Sequence, residues 1–179
     1  MLPTKAKTKA ISKTEDEIIW KKSFWKRKTT ILYAGREIGY FKMRGVFLLG
    51  GRGILLDREF EIRSKNYWSS KFDIIDKTSD KYLATIKFNV WTSKARLYVD
   101  GEVFRFKQNM WGNGTWWWQR ENGTPEEQNE KLIKTSISNY FSGKGAFRFG
   151  NTGESNLNAL ILGGLFIKTM NSEGYTMNY

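Results

Sequence analysis

From Ala159 to Ile167 the chain carries no polar side chain, within the stretch NALILGGLFIKTM (Asn158–Met170). Any fold must hide that segment. As a helix it extends about 14 Å at 1.5 Å per residue, whereas crossing hydrocarbon takes about 20 apolar residues. A membrane-spanning strand would alternate apolar with polar residues, and this run does not. The segment is therefore expected to be wrapped by the protein itself.

The wrapping material is written with period two. In KYLATIKFNV one face takes Tyr82, Ala84, Ile86 and Phe88, the other Leu83, Thr85 and Lys87. Asp100-Gly101 separates two alternating runs and supplies the positive φ angles of a tight hairpin turn. A second hairpin is expected to turn near Gly35 and a looser one at Gly112-Asn113-Gly114. Such runs predict strands near 18–24, 29–34, 37–43, 46–49, 53–56 or 58–63, 71–76, 82–88, 95–99, 102–109, 115–120, 131–138 and 145–149. TPEEQNE opens as a helical turn, with Thr124 as N-cap, Pro125 first and Glu127 completing a capping box. The β-branched residues Ile133, Thr135 and Ile137 then continue as a strand.

An eight-strand barrel holds only its own side chains or one small ligand. Eleven or so strands can enclose a helix, which is about 10 to 12 Å across. The expected fold is thus mainly β: a closed barrel of about twelve mostly antiparallel strands around a hydrophobic C-terminal helix near 157–170. Gly163 and Gly164 together cost a helix roughly 2 kcal/mol, which suits a place where strands approach its backbone. With 179 residues, only Pro3 and Pro125, and no Ser/Gly linker, one domain over 18–179 is expected behind a basic tail, 1–17.

FDIIDKTSDKYLATIKF (Phe72–Phe88), a strand-turn-strand with an acidic turn, and Asn158–Met170 in the plug's place resemble the tubby C-terminal-like superfamily, particularly its LURP-one-related and phospholipid scramblase branches. The resemblance covers about Ile18 to the end. It implies a twelve-stranded barrel closed around a hydrophobic helix, phosphoinositide binding through basic residues on the barrel wall, and action at membranes. Counterparts of the calcium-site and anchor segments of scramblases are not expected here.

Composition narrows the chemistry. The chain has no Cys and no His, which removes disulfides, thiolate metal sites and histidine-based triads and zinc sites. A non-enzymatic protein without cofactor or metal is expected. Its net charge of +12 favours anionic partners, and its eight Trp suit boundaries between water and apolar matter. The N-terminal MLPTKAKTKAISKTEDE has no apolar h-region, so the expected location is cytoplasmic and peripheral at the membrane.

The sharpest surface candidate is IIWKKSFWKRK, where Lys21, Lys22, Lys26, Arg27 and Lys28 interleave with Trp20, Phe24 and Trp25. Basic residues beside an anionic leaflet contribute about 1 kcal/mol each, and aromatics suit the headgroup level. An ordinary first strand, aromatics inward and lysines outward, would read the same. In TWWWQRENG, Trp116 and Trp118 share one strand face and Trp117 takes the other, so core packing competes with base stacking. FLLGGRGILL lacks the Gly-Lys-Ser/Thr ending of a phosphate loop and reads as a turn between strands. Asp73, Asp76 and Asp80 lack the glycine and terminal Glu of a calcium loop and read as a solvated hairpin. The expected function is a module for anionic membrane surfaces or lipids. The alternatives are a nucleic-acid-binding module and a carrier of small apolar ligands.

Overall fold

Asp100 and Gly101 take φ of 47° and 78°, Ala34 and Gly35 take 47° and 76°, and each pair closes a hairpin between long alternating runs. Repetition of that unit builds the molecule. The computed structural model describes residues 18–23, 27–44, 50–64, 70–89, 92, 94–109, 115–139, 143–150 and 154–172. Its strands are β1 (Ile18–Ser23), β2 (Lys28–Tyr33), β3 (Arg36–Met43), β4 (Gly50–Leu55), β5 (Arg58–Ser64), β6 (Lys71–Asp76), β7 (Lys81–Asn89), β8 (Lys94–Val99), β9 (Glu102–Gln108), β10 (Trp116–Arg120), β11 (Leu132–Asn139) and β12 (Lys144–Arg148). Helix α1 (Pro125–Asn129) lies between β10 and β11, and helix α2 (Glu154–Ser172) follows β12.

Each strand pairs antiparallel with its sequence neighbours, and β1 pairs with β12, so the sheet closes into a twelve-strand barrel. Closure leaves no sheet edge to template association. The up-and-down order also sorts the connections between two rims. One rim carries the hairpin turns after β2, β4, β6 and β8 together with α1; at the other lie the C-terminal ends of β1, β3, β5, β7, β9 and β11.

Inward residues of the strands and the apolar run of α2 share one core, which includes Trp20, Phe41, Phe72, Leu97, Trp116, Trp118, Leu160, Leu162 and Phe166. Phe166 meets Phe72 at 4.9 Å and Phe41 edge-on at 6.4 Å between ring centres. Helix α2 touches β3, β4, β7, β8 and β10. It is tied to both ends of β9: Asn156 Nδ2 donates to Glu102 Oε2 (2.8 Å) and Asn171 Nδ2 to Gln108 Oε1 (3.3 Å). The lengths agree, since fifteen helical steps and six strand steps each cover roughly 20 to 22 Å. Between them Trp118 Nε1 donates to the Leu160 carbonyl (2.8 Å).

Several sequence expectations need correction. FLLGGRGILL does not turn at its glycines, because Gly50–Leu55 is β4. A β-carbon at Gly51 would collide with the Phe41 ring, and one at Gly53 would lie 3.2 Å from Leu162 Cδ2, so these glycines let a ring and the helix come close. Both 50–55 and 58–64 are strands, joined by Leu56 and Asp57 at φ 51° and 61°. The expected strand 46–49 and the turn at Gly112–Gly114 lie outside the described residues. The helix runs three residues further toward the N-terminus and two further toward the C-terminus than 157–170.

Tyr82 does not share a face with Ala84, Ile86 and Phe88. The register slips between Ile74 and Ile75, which pair with Ala84 and Tyr82, so Leu83 is bulged out of the ladder. Beyond the bulge the faces of β7 exchange, and Tyr82 is 62% exposed; on β6, Asp76 keeps the inward parity of Phe72 and Ile74, opposite buried Phe60, and is 1% exposed. Asp76 is therefore not part of a solvated turn. Its carboxylate accepts from the Arg58 guanidinium, Ser79 Oγ (2.7 Å) and the Thr78 amide (2.9 Å). Burial raises its pKa, but these hydrogen bonds outweigh burial and hold it below the ordinary carboxylate value.

Candidate functional site

Directly opposed residues of an antiparallel pair share a face, so the register specifies which outward side chains stand together. Lys28 faces Lys42, and Lys42 faces Arg52. Lys71 faces Lys87, Lys87 faces Arg96, and Arg96 faces Arg105. Lys107 faces Trp117, Trp117 faces Lys134, and Lys134 faces Arg148. Lys21 faces Lys144 across the closing pair. The first row ends at Glu61, which pairs with Arg44. In the row through Lys87, Arg96 and Arg105 are bridged by Glu121.

Local contacts hold these side chains against the wall. Lys87 Nζ stands 4.3 Å over the Tyr98 ring, and Lys28 Nζ 4.5 Å over Tyr40. Lys28 also reaches Glu37 at 3.1 Å. Glu121 accepts from Arg96 (2.7 and 3.1 Å) and Arg105 (2.7 Å). The Arg96 hydrogen bond leads in holding that carboxyl below its ordinary range, against burial, with Arg105 adding to the effect. Lys131 Nζ sits 4.9 Å over the outward ring of Trp117.

The sequence-predicted residues divide. Lys21 and Arg27 are exposed and Lys28 half-buried on the outer wall, with Arg27 in a turn at φ 46°. Lys22 pairs with buried Thr29 and so belongs to the inward parity. Trp20, expected among the interfacial aromatics, lies in the core and is 2% exposed, because it shares the inward face of β1 with Ile18. Phe24, Trp25 and Lys26 lie outside the described residues.

Sequence reading missed the cross-strand rows, whose neighbouring members stand on different strands and meet only through register. It also missed Lys168. This half-buried residue of α2 holds its ammonium 5.6 Å from the Trp20 ring. Burial first, and then the charge of Lys22, lower its pKa to about 8. The described residues include no group of acidic, His or Cys side chains able to hold a metal ion. Among them no helix is long and apolar enough to cross a membrane.

Compared with known proteins, the chain matches no family model, no curated protein and no solved structure.

Proposed function

We propose that this protein is a non-enzymatic binding module for anionic membrane surfaces, built as a tubby-like barrel with α2 as its plug. The observation that carries the reading is the set of outward cations opposed in register. Like charges directly opposite one another destabilise a sheet, so Lys42 between Lys28 and Arg52, and Lys87 between Lys71 and Arg96, work against the fold, whereas Arg96 and Arg105 are joined by Glu121. An anionic partner turns that repulsion into binding.

The plug reading is supported by the strands that α2 touches. β4 and β10 stand six apart in a ring of twelve, on opposite sides, and α2 meets both. A carrier of small apolar ligands needs an open lumen, which a helix in that place would fill. Binding of single-stranded nucleic acid is favoured by one feature, the outward Trp117 among Lys107, Lys131 and Lys134. One face of that ring is already occupied by the Lys131 ammonium.

The test is charge reversal on the wall. Lys42→Glu with Lys87→Glu changes two exposed residues outside the core. At about 1 kcal/mol per basic residue near an anionic surface and 1.4 kcal/mol per tenfold in affinity, vesicle binding should weaken at least tenfold. Unchanged binding would refute the reading.

A further inference from the structure

The cations of the outer wall are spaced around the barrel. Lys42 of β3 stands between Lys28 and Arg52, and Lys87 of β7 between Lys71 and Arg96. Lys134 of β11 stands between Arg148 and Trp117, with Lys107 beyond that ring and Lys131 over it. Round the closed ring, the step from β3 to β7 is four strands, from β7 to β11 four, and from β11 through β12, β1 and β2 back to β3 four. Lys42, Lys87 and Lys134 thus stand a third of the circumference apart.

Two of the arcs between them carry paired charges. From β3 to β7, Glu61 pairs with Arg44 and Asp73 faces Arg63. From β7 to β11, Glu121 joins Arg96 and Arg105. The arc from β11 to β3 adds the opposed cations Lys21 and Lys144 instead. Cations therefore face outward on three sides of the wall. Twelve strands about 4.8 Å apart and tilted about 40° close into a barrel roughly 24 Å across. A flat surface touching the wall at Lys42 would leave Lys87 and Lys134 roughly 18 Å above it, because each stands a third of the way round that circle. The Debye length at physiological salt is about 8 Å, so that surface is screened from both. A second surface on the far side of the barrel would have both within roughly 6 Å.

We infer that the barrel bridges two anionic bilayers, holding one through one cationic side of its wall and a second, facing bilayer through the other two. This rests on the membrane reading above and adds an activity to it, the joining of vesicles. A module with a single basic face coats one surface and stops there. Here, whichever side docks first leaves the other two out of range of the first bilayer and in range of a facing one. The third side also carries the outward ring of Trp117, a residue type that enriches at the headgroup level.

The full chain is mixed with phosphatidylserine-containing vesicles; co-sedimentation reads binding and light scattering reads particle size. Scattering should rise at a low protein-to-lipid ratio and fall again at saturation, when every vesicle is coated and no bare lipid is left to bridge. It should also reverse at 1 M salt, where the Debye length is about 3 Å. Lys42→Glu with Lys87→Glu reverses two of the three sides. Raised in concentration until as much of it is bound as of the parent, this variant should lose the clustering. Equal clustering at equal binding would mean that contacts between protein molecules join the vesicles, and would overturn the inference. Lys107→Glu with Lys134→Glu reverses the third side alone and should lower clustering by a larger factor than binding; a fall of both in step also overturns it. Parent protein that binds anionic vesicles without clustering them overturns the inference and leaves the membrane reading intact. If the parent does not co-sediment with anionic vesicles but binds a single-stranded oligonucleotide, both fall.

Discussion

The ring of Trp116 lies against the backbone of Gly164, so close that a β-carbon at that glycine would collide with the indole. The adjacent Gly163 is different: a β-carbon there would meet Ile86, Trp118 and Leu97 at 3.5 to 3.6 Å, ordinary contact distances. The two glycines therefore answer differently to the same substitution. Gly164→Ala should cost about 1 to 3 kcal/mol through overpacking. Gly163→Ala should be neutral or gain up to about 1 kcal/mol from helix propensity. Denaturant unfolding of both variants checks this; equal effects would contradict the packing described.

Trp116 and Trp118 are both fully buried, but only Trp118 has a partner for its Nε1, the Leu160 carbonyl. Phe in either place removes similar volume. Trp118→Phe should be the more destabilising by about 1 kcal/mol, the net worth of one hydrogen bond, as read from paired unfolding curves.

Lys168 has a folded pKa of about 8 against 10.5 for an unburied lysine. Below pH 8 it is charged in both states, and the folded protein bears the full cost of its desolvation. Between 8 and 10.5 the unfolded chain holds more protons, so this residue makes stability rise with pH. Lys168→Met should therefore stabilise the protein at pH 7, and its advantage should shrink as pH passes 8 toward 10.5. Melting temperatures of parent and variant across that window test it; a constant difference would contradict the assignment.

Lys42 is exposed and stands between Lys28 and Arg52. Lys42→Glu replaces two opposed like charges by two attractive pairs, each worth about 0.2 to 1 kcal/mol. The variant should melt higher and bind anionic vesicles less well, a trade of function for stability. A lower melting point would mean that the row does not strain the sheet.

Much of the architecture could be read from sequence because it is locally encoded. The alternating runs, the turns at Ala34-Gly35 and Asp100-Gly101, and the capping box of Thr124 and Glu127 each depend on neighbouring residues. What was not legible depends on distant ones. The Leu56-Asp57 turn has no glycine to mark it, and the Gly51 and Gly53 of β4 respond to Phe41 and Leu162 rather than to a turn. The bulge at Leu83, which turns Tyr82 outward, is a matter of pairing with β6. The candidate site shows the same division. Lys21, Arg27 and Lys28 belong to one short stretch of sequence, whereas Lys71, Lys87, Arg96 and Arg105 become a row only when four strands are in register.

Co-sedimentation of the intact chain with vesicles tests the central claim most directly. Phosphatidylserine-containing and purely zwitterionic vesicles are compared at physiological salt and at 1 M, where the Debye length falls from about 8 Å to about 3 Å. A membrane-surface module should pellet with the anionic vesicles at the lower salt, release steeply at the higher, and ignore the neutral ones. Failure to bind anionic vesicles at low salt, with tight retention of a single-stranded oligonucleotide under the same conditions, would contradict it.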